Sequence, residues 1–82
     1  MRRVLLSAKV HKQLAKLPRA VQMAIYAALD TLEAWPDCRN VKALTGKPGY
    51  RLRVGDYRVL FEVEDECIRV TEVRRRDERT YH

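Results

Sequence analysis

The chain has 82 residues, of which 46% are hydrophobic and 34% are charged, and its formal net charge is +6. This composition is typical of one folded domain covering residues 1–82 and excludes a disordered chain. No apolar run approaches the roughly 18 residues that span a bilayer, so we expect no membrane segment. The two cysteines, Cys38 and Cys67, are isolated, which argues against a disulfide framework and favours the cytoplasm.

The first half of the chain predicts one strand followed by two helices. Residues 3–6 predict a short strand, and Ser7 is a suitable N-cap for a helix over residues 7–17. Pro18 ends this helix and suits the first turn of the next one. The second helix covers residues 19–34, where apolar side chains recur at helical spacing.

The second half predicts three strands. A loop rich in glycine and proline leads to strands over residues 50–54 and 57–63, and a last strand covers residues 67–73. The element order β-α-α-β-β-β, ending in a short turn or helix, predicts an α+β fold. In it, two N-terminal helices pack on one face of a small antiparallel sheet. The other face of the sheet is then open to solvent.

A two-residue turn, Gly55-Asp56, joins two strands in which apolar and basic residues alternate. Pairing across the turn places three apolar pairs on one side of the sheet: Val54–Tyr57, Leu52–Val59 and Tyr50–Phe61. The other side carries Arg51, Arg53 and Arg58, with Arg53 directly opposite Arg58. Two like charges that face each other cost about 0.2–1 kcal/mol. We therefore expect an anion between these guanidinium groups.

Arginine dominates the charge of the second half, whereas most lysines lie in the first. Guanidinium groups form bidentate contacts to phosphate that lysine cannot form, so this preference predicts phosphate recognition. The three consecutive arginines at residues 74–76 have an alternative interpretation, in which they form a solvated surface and bind nothing. The candidate RNA-binding residues are Lys47, Arg69, Arg74, Arg79 and His82.

Other chemistries are not supported by the sequence. His11 and His82 lie far apart without cysteine or carboxylate at ligand spacing, so we expect neither a metal nor a cofactor. Residues 46–49 lack the P-loop pattern. A helix-turn-helix over residues 7–34 is disfavoured, because its second helix is apolar and a DNA-reading helix is more polar.

An open arginine face suits cleavage of RNA by its own 2′-hydroxyl. The reaction needs a base for the 2′-oxygen, stabilisation of charge on the phosphate and a proton for the leaving 5′-oxygen. Clustered guanidinium groups stabilise the charge on the phosphate, and one such donor stabilises a transition state by about 2.7–4 kcal/mol. Tyr81 is a candidate for base stacking or proton transfer, and His82 changes its charge near neutral pH.

The chain resembles the RelE/ParE toxin superfamily over the stretch YRLRVGDYRVLFEV at residues 50–63, with further matches at 41–46, 68–70 and Tyr81. The resemblance implies a toxin of a type II toxin–antitoxin system. In the RelE branch it implies a metal-independent endoribonuclease that cleaves mRNA in the ribosomal A site. It also implies a cognate antitoxin, RelB-like, acidic and partly disordered when free, in a hetero-oligomeric complex.

The resemblance also implies a set of site residues by position. Arg58 matches the strand arginine beside the scissile phosphate, and Tyr81 matches a C-terminal tyrosine that acts near the substrate. One of residues 74–76 should match the last-strand arginine, and we favour Arg75 and Arg76. The implied catalytic set is Arg51, Arg53, Arg58, Arg75, Arg76 and Tyr81. Because arginine keeps its proton up to a pH of about 12, positions 51 and 53 are poor bases, and the general base stays open.

Two other functions remain open at this point. A ParE-like protein that poisons DNA gyrase shares the fold and does not need the arginine cluster. A non-catalytic RNA-binding relic would bind with a steep dependence on salt and cleave nothing.

Overall fold

The computed structural model describes residues 2–75 and confirms the α+β fold, with two helices packed on one face of a sheet. Its strands are β1 (Arg3–Leu6), β2 (Val41–Ala43), β3 (Tyr50–Val54), β4 (Tyr57–Glu64) and β5 (Cys67–Arg75). Its helices are α1 (Ala8–Ala15) and α2 (Arg19–Asp30), followed by a 3-10 helix over Thr31–Ala34. Within residues 2–75, no helix has the length and apolar character needed to cross a membrane.

Both helices begin where the sequence predicts and bury an apolar stripe. The Ser7 hydroxyl accepts a hydrogen bond from the Val10 N–H at 3.2 Å, which caps α1 as expected. Val10 and Leu14 are buried on α1, and Ile25 and Leu29 are buried on α2. These side chains close the core over one face of the sheet.

The sheet has the order β1-β5-β4-β3-β2 and is mixed. Strand β1 runs parallel to β5, whereas every other neighbouring pair is antiparallel. The sequence predicted a sheet that is antiparallel throughout, and the structure corrects this at β1, which lies parallel to β5. Parallel strands need a long connection, and the chain between β1 and β5 supplies it. Strand β2 lies in the segment that the sequence predicted as a loop before residue 50. The predicted turn or helix at the C-terminus lies outside the described residues.

The predicted hairpin register is confirmed. Strands β3 and β4 pair Val54 with Tyr57, and the remaining pairs follow, including Arg53 with Arg58. Gly55 has a φ of 58°, in the left-handed region that glycine enters without steric cost. Because the two-residue turn sets the pairing, the apolar pairs pack against the core and the basic residues take the opposite face.

A β-bulge changes the facing of strand β5. The pairing with β4 shifts between Leu60 and Phe61, which leaves Thr71 as an extra residue on β5. Val70 is buried before the bulge and Val73 is buried after it, three residues later instead of two or four. The bulge therefore turns the next residue, Arg74, onto the open face of the sheet.

Candidate nucleic-acid interface

Three arginines form one row across the open face of the sheet. Arg53 on β3 pairs with Arg58 on β4, and Arg58 pairs with Arg74 on β5. Cross-strand partners on one face have Cβ atoms about 4.5–5.5 Å apart. We call these three residues the arginine row. Like charges at neighbouring cross-strand positions repel one another, so an anion is the kind of ligand that suits the row.

A second line of basic residues runs beside the arginine row. Lys42 on β2 pairs with Arg51 on β3, and Arg51 pairs with Leu60 on β4. Lys42 was not among the predicted site residues, because the alternation over residues 41–43 is too short to reveal a strand. The backbone N–H of Arg53 donates a hydrogen bond to the carbonyl of Asn40 at 2.9 Å. This bond holds the residue before β2 next to the arginine row.

These residues enclose a cleft of about 410 Å³ on the open face. Its lining residues are Asn40, Val41, Lys42, Arg51, Arg53, Gly55, Tyr57 and Arg58. Four of the eight are cationic and none is acidic. Pockets that hold small organic ligands have volumes of about 300–1,000 Å³, so the cleft has room for a nucleotide.

The carboxylates of the open face lie away from the cleft. Arg69 contacts Glu62 at 3.8 Å and Glu64 at 3.4 Å, and Arg74 contacts Glu72 at 2.6 Å. Within residues 2–75, no carboxylate oxygen lies within 4.0 Å of the guanidinium groups of Arg51, Arg53 and Arg58. The cleft therefore carries positive charge that this part of the chain does not neutralise.

Comparison with known proteins identifies the family. The family model for the ParE toxin of the type II toxin–antitoxin system parDE matches residues 4–80. The chain belongs to the RelE/ParE family of toxins. The toxin matches no curated protein sequence significantly.

Solved structures of RelE toxins resemble the toxin closely. The archaeal RelE–RelB complex from Pyrococcus horikoshii matches with a TM-score of 0.81 and 33% identity, covering 94% of this chain and 97% of that one. The RelBE2 complex from Mycobacterium tuberculosis matches with a TM-score of 0.80 and 24% identity, covering 92% of this chain and 98% of that one. The isolated Escherichia coli RelE matches with a TM-score of 0.81 and 20% identity, covering 98% of this chain and 89% of that one.

The other predicted site residues of the toxin take different positions. Arg75 pairs with Tyr57 and lines a groove on the helix side of the sheet, away from the arginine row. Lys47 is exposed in the loop between β2 and β3 and does not line the cleft. Arg69 lies among carboxylates, at the end of β5 far from the row. Four predicted site residues lie outside the described residues: Arg76, Arg79, Tyr81 and His82.

The described part of the toxin offers no cluster of metal ligands. Among residues 2–75, no group of three or more His, Cys, Asp or Glu side chains is placed to hold a metal ion.

Proposed function

We propose that the toxin is a ribosome-dependent endoribonuclease that cleaves mRNA in the ribosomal A site. The observation that carries the proposal is the arginine row beside a cationic cleft, in which Arg51, Arg53 and Arg58 have no carboxylate within 4.0 Å among residues 2–75. The dependence on the ribosome and the A site rests on the family resemblance to RelE. The cytoplasm, where ribosomes translate, is the compartment in which this activity would operate.

The reaction proposed is attack of a 2′-oxygen on the adjacent phosphorus. The new O–P bond forms as the bond from phosphorus to the 5′-oxygen breaks, which leaves a 2′,3′-cyclic phosphate and a 5′-hydroxyl. A base takes the proton from the 2′-hydroxyl, and the 5′-oxygen receives one as it leaves. In this proposal, Arg58, at the centre of the row, stabilises the extra negative charge on the phosphate, with Arg53 beside it.

The cationic side chains of this site are suited to charge stabilisation and to substrate binding. An arginine is a poor general base, so we assign Arg51 and Arg53 to charge stabilisation and binding. Lys42 extends the positive surface at the rim of the cleft. Arg75, Arg76 and Tyr81 stay candidates for the remaining catalytic steps.

A second candidate function is the poisoning of DNA gyrase. The matching family model favours it, because that model describes a ParE toxin. This function does not require the arginine row. Loss of the row therefore separates the two candidates: it abolishes mRNA cleavage under the first and leaves toxicity largely intact under the second.

We also propose an antitoxin partner. The relatives from P. horikoshii and M. tuberculosis were solved as toxin–antitoxin complexes. A net charge of +6 and an open cationic face suit an acidic, RelB-like segment that is partly disordered when free and folds on binding. The expected complex is a hetero-oligomer. Addition of the protein encoded next to the toxin should raise the melting temperature of the toxin, and an unchanged value would contradict this partner.

Primer extension on a defined mRNA tests the proposed activity. The purified toxin is incubated with the mRNA, with and without programmed ribosomes, as wild type, Arg58→Ala and Arg19→Ala. Arg19 is exposed on α2, on the helix side, and provides a control that also loses one arginine. We expect A-site cleavage only with ribosomes, retained in Arg19→Ala and lost in Arg58→Ala. No cleavage by any variant, together with inhibition of gyrase supercoiling, would replace this function with the second candidate.

A further inference from the structure

Glu72 on β5 joins two cations from different parts of the fold. Its Oε2 accepts a hydrogen bond from Nε of Arg74 at 2.6 Å, and its Oε1 lies 3.6 Å from Nζ of Lys9 on α1. The Glu72 side chain is 23% exposed, whereas those of Arg74 and Lys9 are 58% and 61% exposed. The carboxylate is thus the most enclosed member of the trio.

The contact uses only part of the Arg74 guanidinium. Its one described side-chain hydrogen bond, within residues 2–75, starts at Nε. A guanidinium has five N–H donors in a rigid plane, and no side chain among residues 2–75 accepts from the four on the two terminal nitrogens. A bond at Nε fixes the plane of the group and leaves free the fork that binds phosphate in a bidentate manner.

Helix α1 fixes both the side chain and the backbone at this point of β5. Lys9 and Gln13 are one helical turn apart, and they contact consecutive residues of the strand. Lys9 faces the Glu72 carboxylate, and Oε1 of Gln13 accepts the backbone N–H of Val73 at 2.7 Å. Both contacts lie directly beyond the β-bulge, where the ladder to β4 is irregular. The helix therefore holds the segment that presents Arg74.

We propose that Glu72 is a positioning residue, which holds Arg74 in the arginine row with its terminal amino groups directed at the RNA backbone. This inference rests on the proposed function. A carboxylate near RNA repels phosphate, so its charge alone predicts that loss of Glu72 strengthens binding and does not slow the reaction. Positioning makes the opposite prediction for the catalytic step, because an unrestrained arginine must be ordered again in each turnover.

Steady-state cleavage of ribosome-bound mRNA separates these effects. The variants are Glu72→Gln and Glu64→Gln, and the second removes a carboxylate that contacts Arg69 instead. Glu72→Gln keeps an amide oxygen as an acceptor but loses the charge that strengthens the bond to Arg74. We expect it to lower kcat by up to about three- to tenfold, the cost of one fully freed side chain, without raising KM. Glu64→Gln should keep the wild-type kcat. In an Arg74→Ala background, Glu72→Gln should have no further effect on kcat. An unchanged or higher kcat in Glu72→Gln would overturn the inference.

A measurement without substrate keeps this inference distinct from the proposed function. The Nε–H of Arg74 can be followed by its NMR exchange with water and its ¹⁵N relaxation, in wild type and Glu72→Gln. We expect faster exchange and greater mobility in the variant. Equal order in both proteins would refute positioning by Glu72, even if the toxin cleaves mRNA. If the wild type cleaves no mRNA, the proposed function fails, and the NMR comparison still decides whether Glu72 orders Arg74.

Discussion

Arg53 and Arg58 face each other across strands β3 and β4 on the open side of the sheet. Their apolar neighbours Leu52 and Val59 are paired and buried on the other side. The fold thus sets two like charges opposite each other, although a neutral or acidic residue at either position would pair more favourably. A bound anion would offset this repulsion, so we expect the pair to favour anion binding and to lower the stability of the free protein.

Replacement of Arg53 by Gln should therefore stabilise the free protein. Arg53 is exposed, so the change removes repulsion from Arg58 and little packing. We expect the free energy of unfolding in urea at low salt to rise by about 0.2–1 kcal/mol. The gain should shrink as salt is added, because screening weakens the repulsion in the wild type as well. A loss of stability at low salt would show that the two charges do not oppose folding.

Replacement of Gln13 by Ala should destabilise the fold. The side-chain oxygen of Gln13 accepts the N–H of Val73, a residue that is only 7% exposed. Without that acceptor, a part-buried N–H group loses its partner, which costs up to about 1–3 kcal/mol. Thermal or urea unfolding measures the change. Gln13→Glu, which keeps an acceptor, and the exposed Lys12→Ala should both cost less, and an equal cost in all three would contradict this role.

Gly49→Ala should cost more stability than Gly46→Ala. Both glycines have positive φ, at 108° and 77°. A Cβ at Gly46 meets nothing within 4 Å, so backbone strain of about 1–2 kcal/mol is the whole expected effect there. A Cβ at Gly49 lies 3.2 Å from the backbone oxygen of Phe61, which cannot move without disturbing β4. Comparison of the two urea midpoints tests this order.

Acid should remove the stability that Glu72 contributes. The hydrogen bond from Arg74 lowers the pKa of Glu72 below its ordinary value of 4.5, and the charges of Arg74 and Lys9 act in the same direction, while burial opposes them. A carboxyl group with a lowered pKa in the folded state stabilises the protein above its unfolded pKa, and this stability is lost as the pH falls through the folded value. Wild type should exceed Glu72→Gln in unfolding free energy well above pH 4.5. The difference should vanish at lower pH, and a difference that persists in acid would assign the effect to packing instead.

Much of the open face could be predicted from local sequence. A two-residue turn permits only one register between β3 and β4. Alternation along each strand then assigns Leu52 to the core and Arg53 to the other side of the sheet. Strand β2 was not predictable in this way. Its three residues become a strand only because β3 offers a free edge, and Lys42 reaches the cleft through that pairing.

The sequence by itself determined the hairpin, its register and the arginines at positions 51, 53 and 58, because each depends on neighbours within a few residues. The tertiary structure decided which arginine of β5 completes the row. Strict alternation from Ile68 and Val70 would turn Arg74 into the core and Arg75 onto the open face. The bulge at Thr71 reverses this, because β5 must bury Val73 against Val59 while α1 holds its backbone through Gln13. Such a shift depends on contacts between residues that are distant in the chain, and no local pattern encodes it.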